Sequence, residues 1–114
     1  MSEAAHEARR DAVVVNAQGV HARPVMQFIA LASRFRSEIA VRNLSRRSEP
    51  LDGKSALQMI LLEATRGNVL RIEAVGDDAN DAVTALADLV ARGFTGDSES
   101  EDGADTAAAD TEID

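Results

Sequence analysis

The stretch Gly19-Val20-His21-Ala22-Arg23-Pro24 places an imidazole, a guanidinium and a proline within one turn's length of chain. An imidazole titrates near neutral pH, so many rings carry a free nitrogen lone pair that can attack phosphorus. Proline is tolerated in a helix only near its start, where its missing N–H breaks no internal bond. Pro24 therefore predicts a helix that begins at Ala22, with His21 at or immediately before its N-terminus. Unpaired amides and the positive end of the helix dipole favour an anion there. Arg23 can add a charge-assisted bond, and Gly19 lets the backbone bend so that the ring faces solvent. Such contacts are worth about 0.3–1 kcal/mol when exposed, enough to orient a phosphoryl group without trapping it. On spacing alone, a surface histidine followed by a solvated helix start remains the alternative.

The elements that must hold this stretch are read from the pattern around it. Asp11 to Asn16 (DAVVVN) reads as a short strand with Val13 and Val15 on one face, and Val25, Phe28, Ile29 and Ala32 give the first helix its apolar stripe to about Arg34. Glu38 to Arg42 alternates, with Ile39 and Val41 on one side, and after NLSRRSEP a segment through Leu51 can pair back as a hairpin. Asp52-Gly53 is a turn signal, and Ser55 followed by Gln58 makes a capping box that favours a short helix over Ser55 to Leu62. Gly67-Asn68 ends it, Val69 to Val75 alternates through Leu70, Ile72 and Ala74, and Asp77-Asp78 should cap a last helix. Val83, Leu86, Ala87 and Val90 form the buried stripe of that helix, which Arg92 and Gly93 close. The order β-α-β-β-α-β-α predicts an α+β domain with helices packed on one face of a sheet.

Composition narrows the function classes. There is no cysteine among the 114 residues, which removes disulfides, thiolate nucleophiles and cysteine-ligated zinc and is compatible with a reducing, cytoplasmic setting. No apolar run approaches the roughly 18 residues needed to span a bilayer, and no leader-like segment opens the chain. The net charge of -8 comes from the tail: residues 1–94 carry 12 basic and 12 acidic side chains, and residues 95–114 carry 8 acidic and no basic ones. That composition predicts a flexible extension over 1–10, a folded domain over 11–94 and a disordered acidic tail over 95–114. No second acid or base stands near His21, and no metal-ligand cluster or nucleotide-binding loop is evident, so a self-contained enzyme is disfavoured. His6 has no partner in view.

Three motifs, in order, carry a family resemblance. Gly19 to Pro24 resembles the phosphorylation-site signature of the HPr phosphocarriers, and the likeness runs through Phe28 to Phe35, Ser37-Glu38-Ile39 and Val41. Gly53-Lys54-Ser55-Ala56-Leu57 resembles the second family signature, and Gly67-Asn68, the strand to Val75, Gly76-Asp77-Asp78-Ala79 and the last helix fall where the family has them. The segment Asn43 to Pro50 is longer than is usual there.

The resemblance implies an open-faced β-sandwich, a four-stranded antiparallel sheet with three helices on one face. It implies that His21 accepts phosphate on Nδ1 from phosphoenolpyruvate through enzyme I and passes it to sugar-specific IIA domains. Arg23 would neutralise the phosphate, and the amides of Ala22 and Arg23 would cradle it. Ser55 would be a regulatory site for HPr kinase/phosphorylase, unless capping the helix is its whole role. Val20, Leu57 and Ile60 are the expected docking residues, with Met26 and Gln27 weaker candidates and core packing the plainer alternative. The chain would act stoichiometrically, without cofactor or metal, as a monomer whose partners are proteins and not nucleic acid or membrane. The competing expectation is a regulatory paralogue, nitrogen-regulatory or kinase-controlled, with no direct role in sugar uptake.

Overall fold

The computed structural model describes residues 6–95, so the expected acidic tail beyond Thr95 and the first five residues lie outside the described part. Its elements are β1 (Glu7–Val13), α1 (Ala22–Ala32), β2 (Glu38–Asn43), β3 (Leu51–Asp52), α2 (Ala56–Ile60), β4 (Val69–Val75) and α3 (Ala79–Ala91). A 3-10 turn over Leu44–Arg46 follows β2. The four strands form one sheet in the order β1-β4-β2-β3, and every pairing is antiparallel.

Side-chain alternation divides the sheet into two faces. Ala12 and Val14, Ile39 and Val41, and Leu70, Ile72 and Ala74 are buried and meet Val25, Phe28 and Ala32 of α1, Met59 of α2, and Val83, Leu86 and Val90 of α3 in one core. The three helices cover this face. The opposite face is open and polar: Arg71 of β4 donates to both carboxylate oxygens of Asp11 on β1, at 2.8 and 3.1 Å, and Arg42 of β2 pairs with Glu73 of β4 at 3.2 Å. β3 closes one edge of the sheet with only two residues, whose backbones pair with Ala40 and Val41.

Several sequence expectations are met, β4 and the buried stripes of α1 and α3 among them. β1 differs. It begins at Glu7, inside the extension expected to be flexible, because the full length of β4 offers backbone partners from Glu7↔Val75 to Val13↔Val69 and a ladder needs no apolar side chains to form. Val13 and Val15 share one face as expected, and the register makes it the exposed one: Ala12 lies opposite Leu70 and turns inward with Val14.

Asp78, expected as a helix cap, stands at the N-cap position of α3 without a side-chain capping bond. Its carboxylate instead accepts from the backbone amides of Arg36 and Ser37, at 2.8 and 3.0 Å, and from the Ser37 hydroxyl at 2.5 Å. Those bonds tie the start of α3 to the turn between α1 and β2 and hold the Asp78 carboxyl below its ordinary value, the Ser37 hydroxyl contributing most. Because the folded chain keeps this group ionised to lower pH than the unfolded chain does, the stabilisation is complete above the ordinary carboxylate value of 3.8 and is lost as pH falls through the depressed folded value. Asp78→Asn should therefore lower the melting temperature at pH 7, and the gap from the native protein should close as thermal unfolding is followed into the acid range below that value.

Candidate functional site

The site is built on the backbone before any side chain enters. Gly19 has φ +70, and a Cβ there would run into the Ala64 carbonyl oxygen and come within 2.9 Å of Thr65 Cα, so only glycine fits. The Val20 amide donates to Ala64 O at 2.9 Å, the Gly19 amide to Asn16 O at 3.1 Å, and the Asn16 side-chain amide returns a bond to Gly19 O. The strap from Asn16 to Val20 is thereby fixed against the 64–65 backbone, and His21 is delivered as the N-cap of α1.

His21 has extended backbone angles (φ -134, ψ -154), its carbonyl accepts the first helical bond from the Val25 amide at 2.8 Å, and its side chain makes no capping bond. The ring is exposed, and neither nitrogen has a hydrogen-bond partner among the described residues. Ala22 and Arg23 occupy the first two helical positions, and their amides likewise have no acceptor among the described residues. Pro24 is third and buried, so it loses no bond while anchoring the helix start in the core. The Arg23 guanidinium is exposed and makes no ion pair among the described residues. A reachable imidazole, two open amides and an uncommitted cation converge on one helix end, the combination needed to hold a transferable oxyanion.

The other expected site residues fall into different places. Ser55 is the N-cap of α2, and its hydroxyl accepts from the Gln58 amide at 3.2 Å. The reciprocal arm of the capping box is absent: Gln58 Oε1 accepts from the Asp52 amide at 2.8 Å, and the Ser55 amide donates to Asp52 O. Leu57 and Ile60 are exposed, at 73% and 53%. Leu61 and Met26 join them at 59% and 58%, while Met59 is buried and belongs to the core. Val20 does not fit a docking role. It is 7% exposed and part of the core, because the bond that fixes the strap turns its side chain inward. Gln27 is engaged elsewhere, its side-chain amide donating to Phe94 O at 3.0 Å.

Two supports are not anticipated by the sequence reading. Asn43 is fully buried, and its amide donates to Leu62 O at 3.1 Å and to Asn68 Oδ1 at 3.0 Å, linking β2 to the segment that carries Ala64. Lys54 Nζ donates to Phe35 O at 2.8 Å, closing the far end of α1. The only sequence signal for either is residue type, since Asn and Lys serve as well in loops.

Comparison with known proteins agrees with this geometry. The family model described as PTS HPr component phosphorylation site matches residues 8–92, and the chain belongs to the HPr family of phosphocarriers of the phosphotransferase system. It is 38% identical over 87 residues to the phosphocarrier protein HPr of Neisseria meningitidis, covering 75% of this chain and 92% of that one. It is also 38% identical over 82 residues to the multiphosphoryl transfer protein of Salmonella typhimurium, covering 72% of this chain but only 22% of that much longer protein. The crystal structure of HPr-C-His from Thermoanaerobacter tengcongensis superposes with a TM-score of 0.70 at 33% identity, over 76% of this chain and 94% of that one.

Gly19→Ala tests the strap. It should cost about 1–3 kcal/mol in urea unfolding, from the left-handed backbone and the collision with the 64–65 backbone. It should also shift the amide resonances of Ala22 and Arg23 while those of the open sheet face stay in place.

Proposed function

We propose that this chain is a stoichiometric phosphocarrier in which His21 takes a phosphoryl group that originates from phosphoenolpyruvate and arrives through enzyme I, then yields it to the IIA domains of sugar permeases. The observation that carries this reading is the exposed, unbonded imidazole of His21 at an α1 terminus whose first two amides are open among the described residues. A ring nitrogen attacks phosphorus, a P–N bond forms, and the bond from phosphorus to the donor breaks with its electron pair leaving on the donor. Arg23 and the amides of Ala22 and Arg23 hold the phosphoryl oxygens. Among the described residues the site contributes no further acid or base, so on this reading transfer proceeds in either direction according to the partner present, and the catalytic groups belong to the partners.

Docking is assigned to Leu57, Ile60, Leu61 and Met26, exposed apolar side chains on or beside the neighbouring helices α1 and α2. Single exposed apolar residues need no explanation, but four on two packed helices make a surface that a partner can cover. Ser55 is the proposed regulatory site: a phosphate on its hydroxyl would stand at the start of the helix that bears Leu57 and Ile60, where added negative charge repels an acidic partner or recruits an arginine-bearing one. No helix among the described residues is long and apolar enough to cross a membrane, and the reading places the protein in the cytoplasm with its partners.

The carrier role is tested with labelled phosphoenolpyruvate and enzyme I. Native protein should acquire acid-labile label and His21→Ala none; equal labelling of the two would sink the assignment. Leu57→Glu, on a side chain that is 73% exposed, should leave stability within about 0.5 kcal/mol of native and slow labelling severalfold. Unchanged labelling kinetics would remove Leu57 from the docking surface.

A further inference from the structure

The segment that supports the strap is not itself part of a helix or a strand. Residues 61–68 run irregularly from the end of α2 at Ile60 to the start of β4 at Val69, so no regular ladder fixes the Ala64 carbonyl that receives the Val20 amide. Two asparagine side chains hold it instead. Asn43, at the end of β2, is fully buried and uses both ends of its amide. Its Nδ2 donates to Leu62 O at 3.1 Å and to Asn68 Oδ1 at 3.0 Å, and its Oδ1 accepts from the Arg46 amide at 3.3 Å. Asn68 Oδ1 also accepts from the Thr65 amide at 2.9 Å and from the Thr65 hydroxyl at 3.3 Å. Ala64 is therefore pinned from both sides, through Leu62 before it and Thr65 after it.

These bonds end on the residues that flank Ala64, and the docking helix has anchors of its own. The start of α2 is capped by Ser55, Gln58 is tied to the Asp52 amide, and Met59 is seated in the core. Removing the asparagine bonds thus acts on the platform under Gly19 and Val20 and leaves the support of Leu57 and Ile60 in place. A buried carbonyl such as Leu62 O has no water to replace a lost donor, so the segment must move to satisfy it. Any such movement passes through Ala64 O to the Val20 amide, and from there to the adjoining N-cap residue His21.

We propose that Asn43 and Asn68 are positioning residues for phosphoryl transfer at His21: together they set the height and tilt of the strap, and so aim the imidazole along the line of attack while the helix-start amides face the phosphoryl oxygens. The proposal rests on the reading of His21 as the phosphoryl acceptor. Neither asparagine takes part in the chemistry. Their effect is on placement, to which transfer is sensitive, since a displacement of about 1 Å at a reacting group can cost roughly a hundredfold in rate.

Asn68 separates placement from folding, because only its Oδ1 is used among the described residues. Asn68→Asp keeps that acceptor and Asn68→Ala removes it. With labelled phosphoenolpyruvate and enzyme I, well below the melting temperature of each variant, Asn68→Ala should lower kcat about three- to tenfold and leave KM for the carrier within about twofold of native. Asn68→Asp should retain the native kcat. Asp78→Asn, which loosens the fold at the other end of α1, should retain it as well. An unchanged kcat in Asn68→Ala, an equal fall in Asn68→Asp, or a fall shared by Asp78→Asn would each overturn the proposal. Without any phosphoryl donor, the Val20 and Ala22 amide resonances should move in Asn68→Ala and in Asn43→Ala and stay near their native positions in Asn68→Asp. Native protein that takes no label would sink the carrier reading, whereas unmoved Val20 and Ala22 amides in Asn68→Ala would sink this proposal alone.

Discussion

The close approach of the Gly19 backbone to Ala64 and Thr65 is the constraint on which the site depends. Because no side chain fits between the two segments, the strap before α1 lies flat on the chain leading into β4, and the Val20 amide can reach Ala64 O. One face of that arrangement sends Val20 into the core; the other leaves His21 outward with its carbonyl starting the helix. The support beneath is itself braced. Asn68 Oδ1 accepts from the Thr65 amide at 2.9 Å and from buried Asn43, so the hairpin after β2, the segment before β4 and the strap before α1 are parts of one hydrogen-bonded assembly. The exposed His21 ring is in this way carried on a backbone held by buried Val20, Ala64 and Asn43.

The same division of labour appears at the ends of α1. Among the described residues its N-terminal amides and the Arg23 guanidinium have no partner, while its C-terminal side is closed by Lys54 on Phe35 O and by the Asp78 network on Arg36 and Ser37. Satisfying the polar groups at one end and not at the other gives the helix one open terminus. The core residues Val25, Phe28 and Ala32 fix its rotation, so the open terminus cannot turn away from solvent.

Much of this is legible in the sequence. Pro24 locates the start of α1, and the recurrence of Val25, Phe28 and Ala32 its buried face, because helix periodicity and proline sterics are local properties. The alternation from Leu70 to Ala74 does the same for β4. β1 is harder to see. Its sequence EARRDAV is mostly polar, and its extent and face are set by the partner strand across the sheet. Asp78 and Asn43 are illegible in their roles for a related reason: each bonds to groups far away in sequence, and an Asp before a helix or an Asn after a strand has an adequate local explanation. The expectation for Val20 fails because a residue adjacent to an exposed histidine need not share its exposure: the bend after Gly19 and the bond from the Val20 amide to Ala64 O turn its side chain into the core.

The two-residue length of β3 has a consequence for how the protein behaves in bulk. An unpaired sheet edge is a template for strands of other molecules, and β3 offers almost none of it before Gly53 and α2 turn the backbone away. The opposite edge, β1, is long but carries Glu7, Arg9, Arg10 and Asp11, so a second copy adding its β1 in parallel and in register would bring like charges together. With one edge two residues long and the other charged, the sheet offers a neighbouring molecule little backbone to extend.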